Sequence, residues 1–172
     1  MQDRVNEMIV TLQQLIEALR NELQQYGEML ALLDHQQELV ALQGTEDLLH
    51  SISAIDTQGA AIQAARANRQ LAQRNLSEQL DQPTGSTFSV LLPLIPAQYR
   101  PLVSALIQEN NELLLRVRQR AQENHLHLRR SLDKMQRFIT TLSPQDHLSP
   151  ISREESPVVA LDPGVPLYEA IL

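Results

Sequence analysis

Histidine is the side chain of this sequence best suited to chemistry near neutral pH, because its ordinary pKa lies between pH 5 and 8. The 172-residue chain has five histidines and no cysteine. His125 and His127 are two residues apart, which on a helix places them about 200° from each other around the axis. They therefore cannot share a metal ion. His35, beside Asp34, is better explained as a solvated polar side chain than as a general base.

Short motifs that carry phosphate, metal or nucleophile chemistry are also missing. The sequence has no glycine-rich phosphate loop, no H-E-x-x-H, no G-x-S-x-G and no carboxylate-rich calcium loop. A histidine-phosphotransfer domain is an alternative for a helical chain, but the glycine that normally follows its histidine is absent after His125. We therefore predict that the protein is not an enzyme and has no catalytic residue, cofactor or metal.

Composition limits the kind of core that the chain can build. Aromatic residues make up 3% of the chain, with no tryptophan and two phenylalanines, so the core should be thin and aliphatic. The absence of cysteine suits a reducing compartment. The first residues do not resemble a signal peptide, and no apolar run approaches the roughly 20 residues that cross a bilayer. We expect a soluble cytoplasmic protein without membrane insertion.

Apolar residues recur every seven positions near both ends of the chain, which predicts long amphipathic helices because a helix turns once every 3.6 residues. Each of these two series, called ladders here, corresponds to a helix of roughly 55 to 60 Å at 1.5 Å per residue. The first ladder is Val5, Leu12, Leu19, Tyr26, Leu33 and Val40, and the second is Ile107, Leu114, Ala121, Leu128, Met135 and Leu142.

Glycine and proline residues set the expected boundaries of these helices. Gly44 can close a first helix, Thr45 can cap a second, and Pro101 suits the first turn of a third. A single kinked helix through Gly44 is the open alternative to a hairpin. The predicted fold is an all-α, elongated antiparallel helical bundle or coiled coil of about three long helices. Its parts are a helical domain 1–142 with helices 3–43, 45–80 and 101–142, a proline-rich linker 81–100, and a flexible proline-rich tail 143–172.

Two segments outside the long helices carry apolar clusters. The linker contains Val90, Leu91, Leu92, Leu94 and Ile95, and our preferred interpretation is that it folds back to cap the bundle, with partner docking as the alternative. The tail has five prolines and a net charge of −4, so we expect it to be disordered in isolation. Its apolar pieces, 158–161 and 167–172, suit a linear motif that orders on a partner. An inert tail, or one that packs on its own bundle, is equally compatible.

Charge is distributed unequally between the long helices. Residues 1–42 hold seven acidic and two basic residues, whereas 116–137 hold seven basic and two acidic residues. Opposite charge favours packing of the first long helix beside the last. No aromatic residue stands among these arginines before Phe138, so we predict no nucleic-acid partner.

Asn110 and Asn124 interrupt the apolar seam of the last helix, on a line shared with Val103 and Val117. A buried asparagine in such a seam fixes register and partner choice, because only the correct pairing satisfies its amide. Partial exposure to solvent would explain the same two residues.

The order of three leucine-rich segments resembles the FlgN family of flagellar export chaperones. The segments are 15–23 (LIEALRNEL), 30–34 (LALLD) with Leu39 and Leu42 following, and 106–114 (LIQENNELL). The likeness covers about residues 5–142. It implies a cytoplasmic helical protein without enzymatic activity that acts in type III secretion and bacterial flagellum biogenesis. It also implies binding of the C-terminal amphipathic helices of the hook–filament junction proteins FlgK and FlgL, and their delivery to the flagellar export gate.

The last helix is the best candidate for the client groove, because it begins beside the proline-rich linker and carries the two asparagines. We expect the groove to be formed by Leu106, Ile107, Asn110, Leu113, Leu114, Val117, Ala121 and Leu128. In the tail, Leu167, Tyr168 and Ile171 are candidates for docking to the export gate. The alternative function is a structural homodimeric coiled-coil adaptor without an export client, which the heptads predict equally well.

Overall fold

A computed structural model of the chain describes residues 2–42 and 45–142. Its helices are α1 (Gln2–Leu42), α2 (Thr45–Gln79), the short α3 (Phe88–Leu91) and α4 (Arg100–Leu142), with a single 3₁₀ turn at Leu92–Leu94. No strand occurs within these described ranges. The all-α class is therefore confirmed, although the number of helices differs from the prediction because the linker forms a short helix of its own.

Helices α1 and α2 are antiparallel neighbours. Gln25 of α1 is hydrogen-bonded to Gln58 of α2, and Gln36 to Ser51. Residue numbers therefore increase along α1 in the direction in which they decrease along α2. The chain therefore makes a hairpin rather than one kinked helix. Gly44, which was expected to close α1, lies outside the described residues.

Helices α1 and α4 run parallel, which corrects the prediction of a wholly antiparallel bundle. The amides of Asn110 and Asn124 donate to the carbonyls of Leu19 and Leu33, and both pairs are separated by 91 positions. Two reversals produce this direction: α2 returns the chain to the start of α1, and the linker reverses it again before α4. The expected packing of the acidic first helix beside the basic last helix is present, with Arg120 and Asp34 forming an ion pair at 2.9 Å.

The core consists of two apolar clusters along α1. Its residues come from α1, α2, α4 and the linker, and most of them are aliphatic, as the composition predicted. The first cluster contains Leu12, Leu15, Ile16, Leu19, Ala72, Leu76, Phe88, Ile95, Val103, Leu106 and Ile107. The second contains Tyr26, Met29, Leu33, Ile62, Leu114 and Val117.

The linker folds back onto the first cluster, as our preferred interpretation expected. Phe88, Leu91 and Ile95 are buried, and burial of such side chains is the main favourable contribution to packing here. The guanidinium of Arg100 donates to the carbonyl oxygens of Ile95 at 2.9 Å and Pro93 at 2.6 Å. These bonds hold the linker against the start of α4.

Among the described helices, none is long and apolar enough to span a membrane.

Candidate functional site

Helix α4 extends beyond the end of the α1–α2 hairpin. The separation of 91 positions that relates α4 to α1 places Leu42, the last residue of α1, level with Asp133. Nine further helical residues follow, corresponding to about 14 Å at 1.5 Å per residue. Every side chain from 129 to 139 is exposed. By this register residues 134–142 extend past the last residue of α1, and within the described part of the chain no helix buries the side chains of 129–139.

Four large apolar side chains lie on this outer end. Leu132 is 59% exposed, Met135 51%, Phe138 64% and Ile139 52%. They continue the apolar line of the inner half of α4, because Leu128, Leu132, Met135 and Ile139 fall at helical spacings of three and four residues. We call Leu132, Met135, Phe138 and Ile139 the distal apolar surface. An apolar line of this kind on a solvated helix indicates a binding surface.

Basic residues surround the distal apolar surface. Arg129, Arg130, Lys134 and Arg137 are all exposed, and Asp133 is the single acidic residue among them. None of the four makes an ion pair with another described residue, whereas Arg120, further in, pairs with Asp34 at 2.9 Å. The outer end of α4 thus combines an apolar line with positive charge that no described acidic residue pairs.

The predicted client-groove residues lie in the inner half of α4 and contribute to the bundle core. Leu106, Ile107, Asn110, Leu114 and Val117 are buried, while Leu113, Ala121 and Leu128 are partly buried. The structure brings these residues together, but their partners are α1, α2 and the linker. A client could reach them only if these elements moved apart. Their role in client binding stays a prediction.

Two buried asparagines fix the register of α4 on α1. The Nδ2 of Asn110 donates to Leu19 O at 3.0 Å and to Leu106 O of its own helix at 2.9 Å. The Nδ2 of Asn124 donates to Leu33 O at 2.7 Å and to Gln36 Oε1 at 3.1 Å. Both side chains are almost completely buried, so partial exposure does not explain them. The hypothesis that they set register is supported by the identical spacing of the two pairs.

A buried ion pair separates the two apolar clusters. Arg69 Nε of α2 lies 2.9 Å from Glu22 Oε2 of α1, and the hydroxyl of Tyr26 donates to Glu22 Oε1 at 2.9 Å. Arg69 also donates to Gln73, whose amide donates to the carbonyl of Ser86 in the linker. Burial, together with the charge of Glu22, raises the pKa of Tyr26. The arrangement connects α1, α2 and the linker, and neither Glu22 nor Arg69 was a predicted site residue.

One sequence signal could have pointed to Arg69 as half of a buried ion pair. Arg69 occupies the apolar stripe of α2, where an unpaired charge would be costly, so a partner of opposite charge on a neighbouring helix was required. Glu22 is the acidic residue of α1 that meets this requirement.

The histidines that the structure describes do not form a reactive group. His125 and His127 are both exposed, and His35 Nδ1 lies 3.8 Å from Glu38 on the same helix surface. In the described ranges, no three histidine or acidic side chains are close enough together to hold a metal ion.

The last helix of this elongated bundle continues past its neighbours and exposes an apolar line to solvent. These two features define a class of helical protein that acts by binding another polypeptide. The chain belongs to the FlgN family, since the family described as FlgN protein matches residues 8–149, which include all of α2, the linker and α4. The prediction of this family is confirmed. Proteins of the family are chaperones of flagellar biogenesis rather than enzymes.

No curated protein and no solved structure gives a significant match to the chain.

Proposed function

We propose that this chain is a cytoplasmic chaperone of flagellar type III export that binds the C-terminal amphipathic helices of FlgK and FlgL. The observation that carries the proposal is the distal apolar surface, whose side chains are exposed on the outer end of α4. A client helix placed there would take the position beside α4 that α1 occupies in the inner half. The chaperone would thereby cover an aggregation-prone client segment before export.

The geometry supports binding through helix-to-helix packing. A client helix presents anchors at i, i+3, i+4 and i+7, which match the spacing of Leu132, Met135 and Ile139. Each of the four side chains of the distal apolar surface is about half exposed, so completing its burial contributes on the order of 1 kcal/mol. Lost translational and rotational freedom offsets much of this gain. Moderate affinity would result, which suits a client that must be released.

Neighbouring apolar residues can enlarge the contact. Leu42 at the end of α1 and Leu49 in the first turns of α2 are also exposed. Both belong to the hairpin end of the bundle, which is the end from which α4 projects. A client helix longer than two turns would reach this hairpin as well as the distal apolar surface.

Calorimetric titration tests the proposal directly. Peptides of the C-terminal helices of FlgK and FlgL from the same organism are titrated into the full chain and into a Leu132→Asp variant. A matched control is Leu115→Asp, because Leu115 is 63% exposed on the inner half of the same helix. Saturable 1:1 binding that is lost in the first variant and kept in the second supports the proposal. Absence of binding by a stable dimer of the wild type would instead favour the homodimeric coiled-coil adaptor.

We also propose that the tail, residues 143–172, docks the chaperone to the export gate. Leu167, Tyr168 and Ile171 lie outside the described residues, and their role remains a prediction. Deletion of residues 158–172 should leave the affinity for client peptides unchanged while export of FlgK and FlgL fails in cells. Loss of client affinity in the same deletion would contradict a separate gate-docking role.

A further inference from the structure

The positive charges on the outer end of α4 are placed beside its apolar line. Arg129 directly follows Leu128 and Lys134 directly precedes Met135, so each lies about 100° from the line and on opposite sides of it. Long basic side chains lay their methylene stems along apolar surface and keep the charged group in water. Arg129 and Lys134 can therefore border a helix that packs on the distal apolar surface.

Further positive charge lies on the far side of the helix. Arg130 and Arg137 are exposed there, and together with Arg129, Lys134 and the single acid Asp133 they give residues 129–137 a net charge of +3. None of these four bases is paired within the described residues, in contrast to Arg69 and Arg120. A concentrated field of one sign selects partners of the opposite sign and increases their association rate.

We propose that the client segment accepted by the distal apolar surface is an amphipathic helix whose apolar face is flanked by acidic side chains, which names the client class and rests on the proposed function. Complementary carboxylates would meet Arg129 and Lys134 on the two borders. A second copy of this chain is a poor occupant, because pairing two such surfaces brings +3 against +3. The single apolar line has the width of a helix–helix seam, which favours a helix over a lipid surface.

The test uses two designed amphipathic peptides with the same apolar face. One carries glutamate and the other lysine at the four positions that flank this face, and both are titrated into the full chain at about 50 and 300 mM salt. We expect the glutamate peptide to bind about tenfold or more tightly at low salt. The preference should shrink at high salt, because added ions screen exposed charges.

Charge-reversed variants assign the preference to particular residues. Arg129→Glu combined with Lys134→Glu should remove or reverse the preference for the glutamate peptide. The control combines Arg20→Glu with Arg74→Glu, two exposed positions on α1 and α2, and should keep it. Circular dichroism verifies that both double variants are folded.

The negative results of these titrations distinguish failure of the acidic-client inference from failure of the proposed function. Equal binding of both peptides at both salt concentrations, lost in Leu132→Asp, would overturn the acidic-client inference and leave the proposed function standing. Absence of binding to these peptides and to the FlgK and FlgL peptides would overturn both. Binding to vesicles containing about 30% phosphatidylglycerol in preference to either peptide, lost in the Arg129 and Lys134 double variant, would replace the acidic helix with a lipid surface.

Discussion

At the scale of single residues, buried polar side chains determine how the helices are aligned. Asn110 and Asn124 donate to equivalent carbonyls of α1 two heptads apart, so sliding α4 along α1 breaks both sets of bonds. Their seam positions made this role predictable from the sequence. For Glu22 and Arg69 the sequence indicated only that Arg69, on the apolar stripe of α2, needed an acidic partner; that Glu22 is this partner depends on how α1 and α2 align, which a sequence does not state.

The buried ion pair leads to a prediction about stability. Arg69→Met removes the guanidinium that pairs with the buried carboxylate of Glu22, and breaking a buried pair in this way typically costs about 3 to 5 kcal/mol. Adding Glu22→Gln removes the buried charge and retains an acceptor for the hydroxyl of Tyr26. Urea denaturation should therefore show a large loss of unfolding free energy for the single variant and recovery of at least half of it in the double variant.

An unchanged free energy in the Arg69→Met single variant would contradict this account of the pair.

Tyr26 gives the protein a specific sensitivity to alkaline pH. Its folded-state pKa is raised above the ordinary value of 10.0, first by burial and then by Glu22. The folded state therefore retains this proton at a pH where the unfolded chain loses it, so the contribution to stability is complete below pH 10 and declines above it. Between pH 9 and 11, the unfolding free energy of the wild type should fall more steeply than that of Tyr26→Phe.

The largest difference in slope that one such group can produce is about 1.4 kcal/mol per pH unit. Parallel pH profiles for the two proteins would show that Tyr26 is not protected as described.

At the scale of elements, the two halves of α4 differ in what covers them. One apolar line runs along the whole helix, yet from Val103 to Asn124 it is buried except at the partly buried Ala121, and beyond Leu128 it is exposed. The sequence predicted the helix and its line because both depend on local periodicity. The position at which other helices stop covering α4 depends on its register with α1 and on the length of α1. The parallel direction of α1 and α4 was also unpredictable, since the same heptad pattern is compatible with parallel and with antiparallel packing.

This difference predicts unequal effects of the same substitution in the two halves. Leu114→Asp places a charge in the second core cluster, and a buried charge without a partner is strongly unfavourable. We expect loss of helical circular dichroism or a large fall in the melting temperature. Leu132→Asp should leave the melting temperature nearly unchanged, because its side chain is already exposed.

Retained helicity in Leu114→Asp together with loss of client binding would contradict this assignment. That result would instead favour the client groove predicted for the inner half of α4.

At the scale of the whole molecule, the bundle is a support that holds one helix end in solvent. The hairpin of α1 and α2 stabilises the inner half of α4 through two core clusters, and the folded linker covers the opposite end. Membership of the FlgN family then connects this arrangement with chaperone function. Heptads alone left a client-free adaptor equally possible, because periodicity predicts a packed seam without stating what packs on it.

Hydrogen–deuterium exchange of the full chain, with and without a FlgK C-terminal peptide, tests most directly whether the outer end of α4 binds the client. Client binding at the outer end of α4 predicts that amides of 126–142, and of the last turn of α1 at the hairpin, exchange more slowly in the complex, while those of 103–124 and of the rest of α1 are unchanged. A change confined to 103–124 and α1 would contradict it and would indicate that the bundle opens to bind its client along the inner half of α4.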